Sequence, residues 1–397
     1  MRRPGRASSS LAAAWNSGEM EEEDWLLESL RLYNDLHVFE LQDPTRVIEW
    51  TGEKSICVAG YESRRNEILQ LLLPQKLYAK ENQGLCPERD FKVEHGGFSD
   101  RPVYSLKHVP ETSLLVTSGP PDSALQVWRM EENESDVIKP LDSIPTAQGE
   151  GCSWAKIATA SSKSAWVLHG LRINNVQVTE IDSRKTIFMA ASTNTNELAT
   201  LEFLDEAAIL ACSTKGQLFL ADTRQPQSLL AVAEDAAISG ALAGQSLCAG
   251  VRRSPMGSAT DRPLVARLSS GGHVVLTDLR NPASPVKAAQ CRVPTASPCG
   301  AEFPTVSFAP LLGERLAVSG FDGTVQVYDM RSWGPSAQEA SPEFVHKGHV
   351  FSGVGDAGGP PLVTTHTWNP SKPRTLLSAA SDGSLHVWDW SELLGAS

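Results

Sequence analysis

The chain has 397 residues, 41% of them hydrophobic and 21% charged, enough apolar side chain to bury a sizeable core. Its formal net charge of −12 opposes a phosphate backbone, and no Lys/Arg run is longer than two, so direct nucleic-acid binding is not expected. No stretch of about 18 apolar residues occurs, which excludes a membrane-spanning helix, and the seven cysteines, without a C-x-x-C pair, read as buried thiols in a reducing compartment rather than a disulfide or zinc framework.

Residues 1–19 carry Arg2, Arg3, Arg6, a serine run and no acid until Glu19. They read as a disordered extension, with a transit peptide as the alternative; Met20 is a second candidate start. An amphipathic helix is predicted within residues 20–35, centred on Glu21–Tyr33. Four acids in its first turn suit the helix dipole, and Leu26, Leu30 and Tyr33, with Trp25 alongside, form its apolar stripe. That stripe either packs on the rest of the chain or offers Trp25 to a partner.

Leu36–Leu41 has strand composition. Arg46–Trp50, Ser55–Ala59 and Glu67–Leu71 are three further strand-like runs around the polar turn Gly60–Ser63. In Phe91–Arg101 two glycines predict a loop that carries Phe98 and Arg101. Aromatic and Arg side chains of this kind serve as interface anchors, or Phe98 plugs a seam between neighbouring repeats.

From there a pentapeptide with apolar first and third positions recurs, ending at Arg129, Glu180, Asp222, Asp278, Asp329 and Asp389. Such alternation sends one row of side chains inward. The spacings mostly exceed the roughly 40–45 residues of a four-stranded repeat, so loops carry extra length, notably at Glu131–Asp136, Ala233–Asp261, Arg331–Glu343 and Gly353–Pro361. Asp322-Gly323 and Asp382-Gly383 sit between paired apolar runs, a strong hairpin signal.

In the last unit Gly348-His349, Ser378, Asp382 and Trp388-Asp389 follow one another with the order and spacing of a WD repeat. The chain resembles the WD-repeat family on these residues. That resemblance implies an all-β, seven-bladed β-propeller over residues 36–392, with a short N-terminal helix before it and a tail at 393–397. It implies a structural hydrogen-bond network of His349, Ser378, Asp382 and Trp388, and closure of the last blade by the N-terminal strand, since too few residues follow Asp389 to supply a fourth one. In the preceding unit Ser319 and Asp322 are matched to Ser378 and Asp382, with Tyr328 in place of Trp and a turn one residue shorter. The middle units lack most of the set.

No catalytic, cofactor-binding or metal-ligating group is expected. Gly353-Val-Gly-Asp-Ala-Gly358 is followed by Pro360 and Pro361, which prevent the helix a dinucleotide site needs. The histidines form no H-x-x-x-H pair, and no nucleophile elbow or phosphate-binding lysine loop occurs. The segments Asp24–Tyr33, Val58–Ser63, Pro87–Val93, His95–Arg101 and Val363–Trp368 resemble one branch of the WD-repeat family. This implies a cytoplasmic, non-catalytic scaffold, a monomer before partner binding. The implied partners are the two metallo-β-lactamase-like subunits of the Integrator RNA endonuclease module. A role at spindle poles and the cleavage furrow through microtubule-associated proteins is also implied, and a general adaptor confined to spindle poles and microtubules is the alternative.

Overall fold

The computed structural model describes residue 29 and residues 31–62, 65–74, 90–130, 136–146, 154–161, 164–225, 229–232, 247–252, 263–294, 303–351 and 360–391. Its strands form seven sheets. After β1 (Tyr33–Glu40) comes blade one: β2 (Thr45–Trp50), β3 (Ser55–Gly60), β4 (Asn66–Leu72) and β5 (Lys92–Ser99). Blade two is β6 (Ser105–His108), β7 (Leu114–Ser118), β8 (Leu125–Met130) and β9 (Ile138–Ile144). Blade three is β10 (Lys156–Ser161), β11 (Ala165–Gly170), β12 (Gln177–Glu180) and β13 (Thr186–Met189). Blade four is β14 (Leu198–Phe203), β15 (Ala208–Ser213), β16 (Leu218–Asp222) and β17 (Leu230–Ala231). Blade five is β18 (Leu247–Arg252), β19 (Leu264–Ser269), β20 (His273–Asp278) and β21 (Lys287–Cys291), and blade six begins with β22 (Thr305–Phe308), β23 (Arg315–Ser319) and β24 (Val325–Asp329). The next strand, β25 (Gln338–Ala340), returns to blade five and pairs in parallel with β21; β26 (Phe344–His346) then completes blade six. Blade seven is β27 (Val363–Trp368), β28 (Thr375–Ala380) and β29 (Ser384–Trp390).

The fourth strand of blade seven is β1, which runs antiparallel to β29 with Leu36 opposite Trp388, Val38 opposite His386 and Glu40 opposite Ser384. Beyond its end Leu41 N–H donates to Gly383 O at 2.8 Å. The first strand of the chain thus seals the last blade, covering an edge that would otherwise template aggregation. The molecule is a seven-bladed β-propeller.

Alternation within each strand places apolar side chains on both faces of every blade, and each interface between neighbouring blades holds one apolar cluster. Leu106, Leu115 and Trp128 meet Ile68 between blades one and two, Phe188 meets Leu201 and Phe219 between three and four, and Tyr328 meets Leu276 between five and six. Ile48 and Leu71 meet Leu377 and Leu385 where the ring closes between seven and one.

Several sequence expectations are corrected. Tyr33 begins β1 rather than ending a helix. Ser29, Arg31 and Leu32 are helical, but the Tyr33 ring is buried edge-on against Phe344 and Trp388, so pairing with blade seven outweighs helix continuation. Phe91–Arg101 is largely the outer strand β5, not a loop. Its glycines serve a close approach between blades: Gly96 N–H donates to Asp136 O at 3.0 Å, and a Cβ on Gly97 would lie 2.4 Å from Ile138 O. The segments Ala233–Asp261 and Arg331–Glu343, read as connectors, contain strands β18 and β25 because the edges of blade five accept them. Residues 1–19, Trp25 and the Gly353–Gly358 motif lie outside the described residues. Among those described, no helix is long and apolar enough to cross a membrane.

Candidate functional site

Blade seven carries the richest polar construction. Trp388 Nε1–H donates to Ser378 Oγ at 3.1 Å, and Ser378 Oγ lies 2.8 Å from His349 Nε2. On the other side of the ring His349 Nδ1 lies 2.7 Å from Ser384 Oγ, whose hydroxyl is 2.6 Å from Asp382 Oδ1. Asp382 Oδ1 also accepts the Ser384 backbone N–H at 3.0 Å. The donor inventory sets the proton order. An ionised Asp382 only accepts, so Ser384 donates to it and must accept from His349 Nδ1–H. His349 Nε2 then accepts from Ser378, whose oxygen accepts from Trp388. Every member is satisfied with His349 neutral, the condition under which a buried polar network stabilises. The four residues expected here are brought together, but Asp382 reaches the histidine through Ser384, which the sequence reading missed. Asp382-Gly383-Ser384 makes that link because Gly383 takes a φ of 83°, closing the turn without a Cβ.

The Ser378–Trp388 relationship is diagonal across two strands: Ser378 faces His386 and Leu376 faces Trp388. The same diagonal recurs with other chemistry. In blade two Trp128 Nε1–H donates to Thr117 Oγ1 at 2.8 Å. In blade three His169 Nε2 and Thr179 Oγ1 are 3.0 Å apart. In blade five the fully buried Arg267 donates from Nη2 to Thr277 Oγ1 at 2.9 Å and from Nη1 to Gly216 O of blade four at 2.7 Å. Blades two, three and five therefore keep the position while changing the residues. Blade six departs from the sequence match. Tyr328 faces Leu316, so Val318, not Ser319, takes the place of Ser378. Ser319 instead bonds His366 of blade seven at 2.7 Å, and Ser307 holds the other nitrogen at 2.6 Å. Burial pushes His366 down to about 3, so it bridges the two blades as a neutral ring.

Two more histidines adjoin the network. His346 Nε2 is 3.1 Å from His386 Nδ1, and His346 Nδ1 is 2.8 Å from the Tyr33 hydroxyl. The nitrogens of His346, His349 and His386 come within 4.8 Å of one another, which raises the question of a metal. The geometry opposes it. The His349 and His386 rings stack 3.8 Å apart with planes 15° from parallel. A nitrogen lone pair lies in its ring plane, so stacked parallel rings do not converge on one ion at about 2.0–2.1 Å. Both nitrogens of His349 are moreover held by serines.

The two ends of the innermost strand β2 differ. At its start Arg46 is caged: its guanidinium carbon lies 4.1 Å from the Tyr104 ring centroid, 4.8 Å from Phe303 and 5.0 Å from Trp154. At its far end a cavity of about 480 Å³ is lined by residues of blades one, two, three, four and seven, among them Glu49, Trp50, Lys107, His108, Glu111 and Glu202. Glu49 Oε2 is already held by Lys107 Nζ at 2.9 Å. Among the described residues, no nucleophile–base pair with an orienting third group, the geometry a covalent mechanism needs, lines this cavity.

The two described partner-surface candidates separate. Arg101 is pinned to the β7–β8 turn, donating to Ala124 O at 2.5 Å and Asp122 O at 3.2 Å, and its side chain is mostly covered. Phe98 is 49% exposed on β5 beneath the Arg65 guanidinium, 4.7 Å from the ring centroid, so it does not plug a seam. Sequence reasoning did not find its company. Val38 on β1, Val93 on the same strand as Phe98, Leu141 on β9, Ile187 and Met189 on β13 and Leu230 on β17 are also exposed, so the outer strands of blades one to four and seven each show apolar side chains to solvent.

Comparison with known proteins adds to this geometry. A family model described as WD domain, G-beta repeat matches residues 342–389, the stretch that carries the whole network. The chain is 48% identical over 369 residues to "Integrator complex assembly factor WDR73" of Xenopus laevis, covering 93% of this chain and 98% of that protein. It is 48% identical over 372 residues to the Mus musculus protein of that name (94% and 98%) and 45% identical over 371 residues to that of Danio rerio (93% and 96%).

Proposed function

The chain belongs to the WDR73 family of WD-repeat proteins, and from that premise we propose that it is a non-catalytic scaffold in assembly of the Integrator complex. The observation that carries this reading is the extent of the similarity, which runs over more than nine-tenths of the chain and so over the ring rather than one repeat. The finer reading is that it holds the two metallo-β-lactamase-like subunits of the RNA endonuclease module in the cytoplasm before they enter the nucleus. A closed ring whose WD-type polar network is satisfied by internal bonds suits holding rather than turnover. The outer strands, with their exposed apolar side chains, are the surface from which contact is first sought.

The test is co-purification of the tagged full chain from cytoplasmic extract, with bound proteins identified by mass spectrometry. Near-equal recovery of both endonuclease subunits supports the reading. Recovery of microtubule-associated proteins without them transfers the weight to a role at spindle poles and the cleavage furrow. With a formal net charge of −12, contact with acidic tubulin in that case is expected to run through a partner.

A further inference from the structure

The polar network of a WD blade explains His349, but not why two more histidines and a tyrosine from the other end of the chain are packed against it. His346 closes blade six, His386 lies in the middle of β29, and Tyr33 is the first residue of the closing strand. All three histidines are fully buried. The His346 ring lies flat on Trp388, centroids 4.5 Å apart and planes 9° from parallel, and Gly348 backs onto the pair so closely that a Cβ there would sit 2.6 Å from His346 Cε1 and 2.8 Å from His386 Nδ1.

We propose that this cluster is an acid-sensitive latch on the closing strand: protonation of the buried rings releases β1 from the outer edge of blade seven. The groups that face the cluster leave a proton poorly accommodated. From β1 comes the Tyr33 hydroxyl, from the residue after β26 the Lys347 backbone bonded to that hydroxyl, from β28 Ser378, and from β29 Trp388 and Ser384. Among the described residues, the one carboxylate bonded into it, Asp382, acts through Ser384, whose oxygen already accepts from His349 Nδ1. Asp35 and Asp389 face each other across β1 and β29, and strand alternation sends Asp389 to the face opposite His386 and Trp388. A proton added to His349 Nε2 would have to donate to Ser378 Oγ, expelling the serine hydrogen that now points there. A proton added to the His346–His386 contact sets hydrogen against hydrogen across 3.1 Å. Burial and the neighbouring rings accordingly hold all three well below the usual histidine range.

When β1 detaches, the rings regain water and a solution affinity for protons of about 6.5. Between pH 7.5 and 5.5 opening then gains about ten-fold for each histidine hydrated, ten-fold for His346 alone and about a thousand-fold for all three. The experiment is hydrogen exchange of the full chain at both pH values, corrected for the intrinsic pH dependence of exchange. The reference is blade four, which contains no histidine. Amides of Leu36–Glu40 are expected to lose at least two-fold more protection than those of β14–β16, after the opposing protonation of Asp389 across from β1. An equal loss in both regions overturns the latch and leaves ordinary acid unfolding. His346→Phe, which keeps a flat ring on Trp388 but removes the titrating group bonded to Tyr33, is expected to lower the pH response of β1 at least three-fold, and an unchanged response also overturns it. If that variant does not fold, the wild-type comparison between β1 and blade four still decides.

Discussion

The Tyr33 hydroxyl lies 2.8 Å from Nδ1 of His346, 313 positions away in the chain. The bond ties the first residue of the closing strand to the outer strand of blade six, so β1 fastens two blades rather than one. Tyr33→Phe keeps the ring packing against Phe344 and Trp388 and removes this bond together with the hydroxyl's bond to the Lys347 backbone. A loss of about 1 kcal/mol in unfolding free energy is expected, read by urea denaturation. No loss would show that packing alone seats the strand.

Ser378 serves two buried partners, Trp388 and His349, where its counterpart Thr117 has Trp128. Truncation to alanine strands whatever the hydroxyl satisfied, at about 1–3 kcal/mol for each buried group. Ser378→Ala is therefore expected to cost more than Thr117→Ala. Thermal denaturation of the two variants side by side checks the order, and equal costs would mean that His349 finds another partner when the serine is gone.

Gly97→Ala puts a methyl group 2.4 Å from the Ile138 carbonyl oxygen, and both atoms belong to strands that hold blades one and two together at the rim. Backbone against backbone cannot be relieved by a rotamer change. A cost of about 1–3 kcal/mol is expected, as for other overpacked sites. Phe98→Ala, one residue along and half exposed, is expected to change stability by less than about 0.5 kcal/mol. Chemical denaturation separates the two.

Asp389 stands opposite Asp35 across β1 and β29. Burial, with the facing carboxylate adding to it, pushes Asp389 up to about 6. A carboxyl raised in the folded state binds its proton there before the unfolded chain does, so this group favours folding more as pH falls from about 6 towards 4 and opposes it above that range. Asp389→Asn removes the opposition. It is expected to raise the melting temperature at pH 7.5 and to leave it unchanged near pH 4.5. A gain of equal size at both pH values would assign the effect to something other than charge.

The chain by itself determined the repeating strands and their turns, and its resemblance to the WD-repeat family implied the ring. Alternating pentapeptides set six inward-facing rows, Asp382-Gly383 marked a tight turn, and Leu36–Leu41 had the composition of a strand. These features are local, written in period-two alternation and in residues that tolerate a particular backbone angle. What only the tertiary structure decided depends on register. Period two tells which face a side chain takes but not which residue lies across from it. Val318 rather than Ser319 therefore occupies the place of Ser378, Arg267 meets Thr277 on the diagonal that Trp388 and Ser378 share, and Ser384 stands between Asp382 and His349. Strand β5 was hidden because an outer strand buries little, and its two glycines look like a turn until the backbone of Ile138 is seen against them. The meeting of Tyr33, His346 and His386 was hidden most completely, because it exists only once the two ends of the chain have closed the ring.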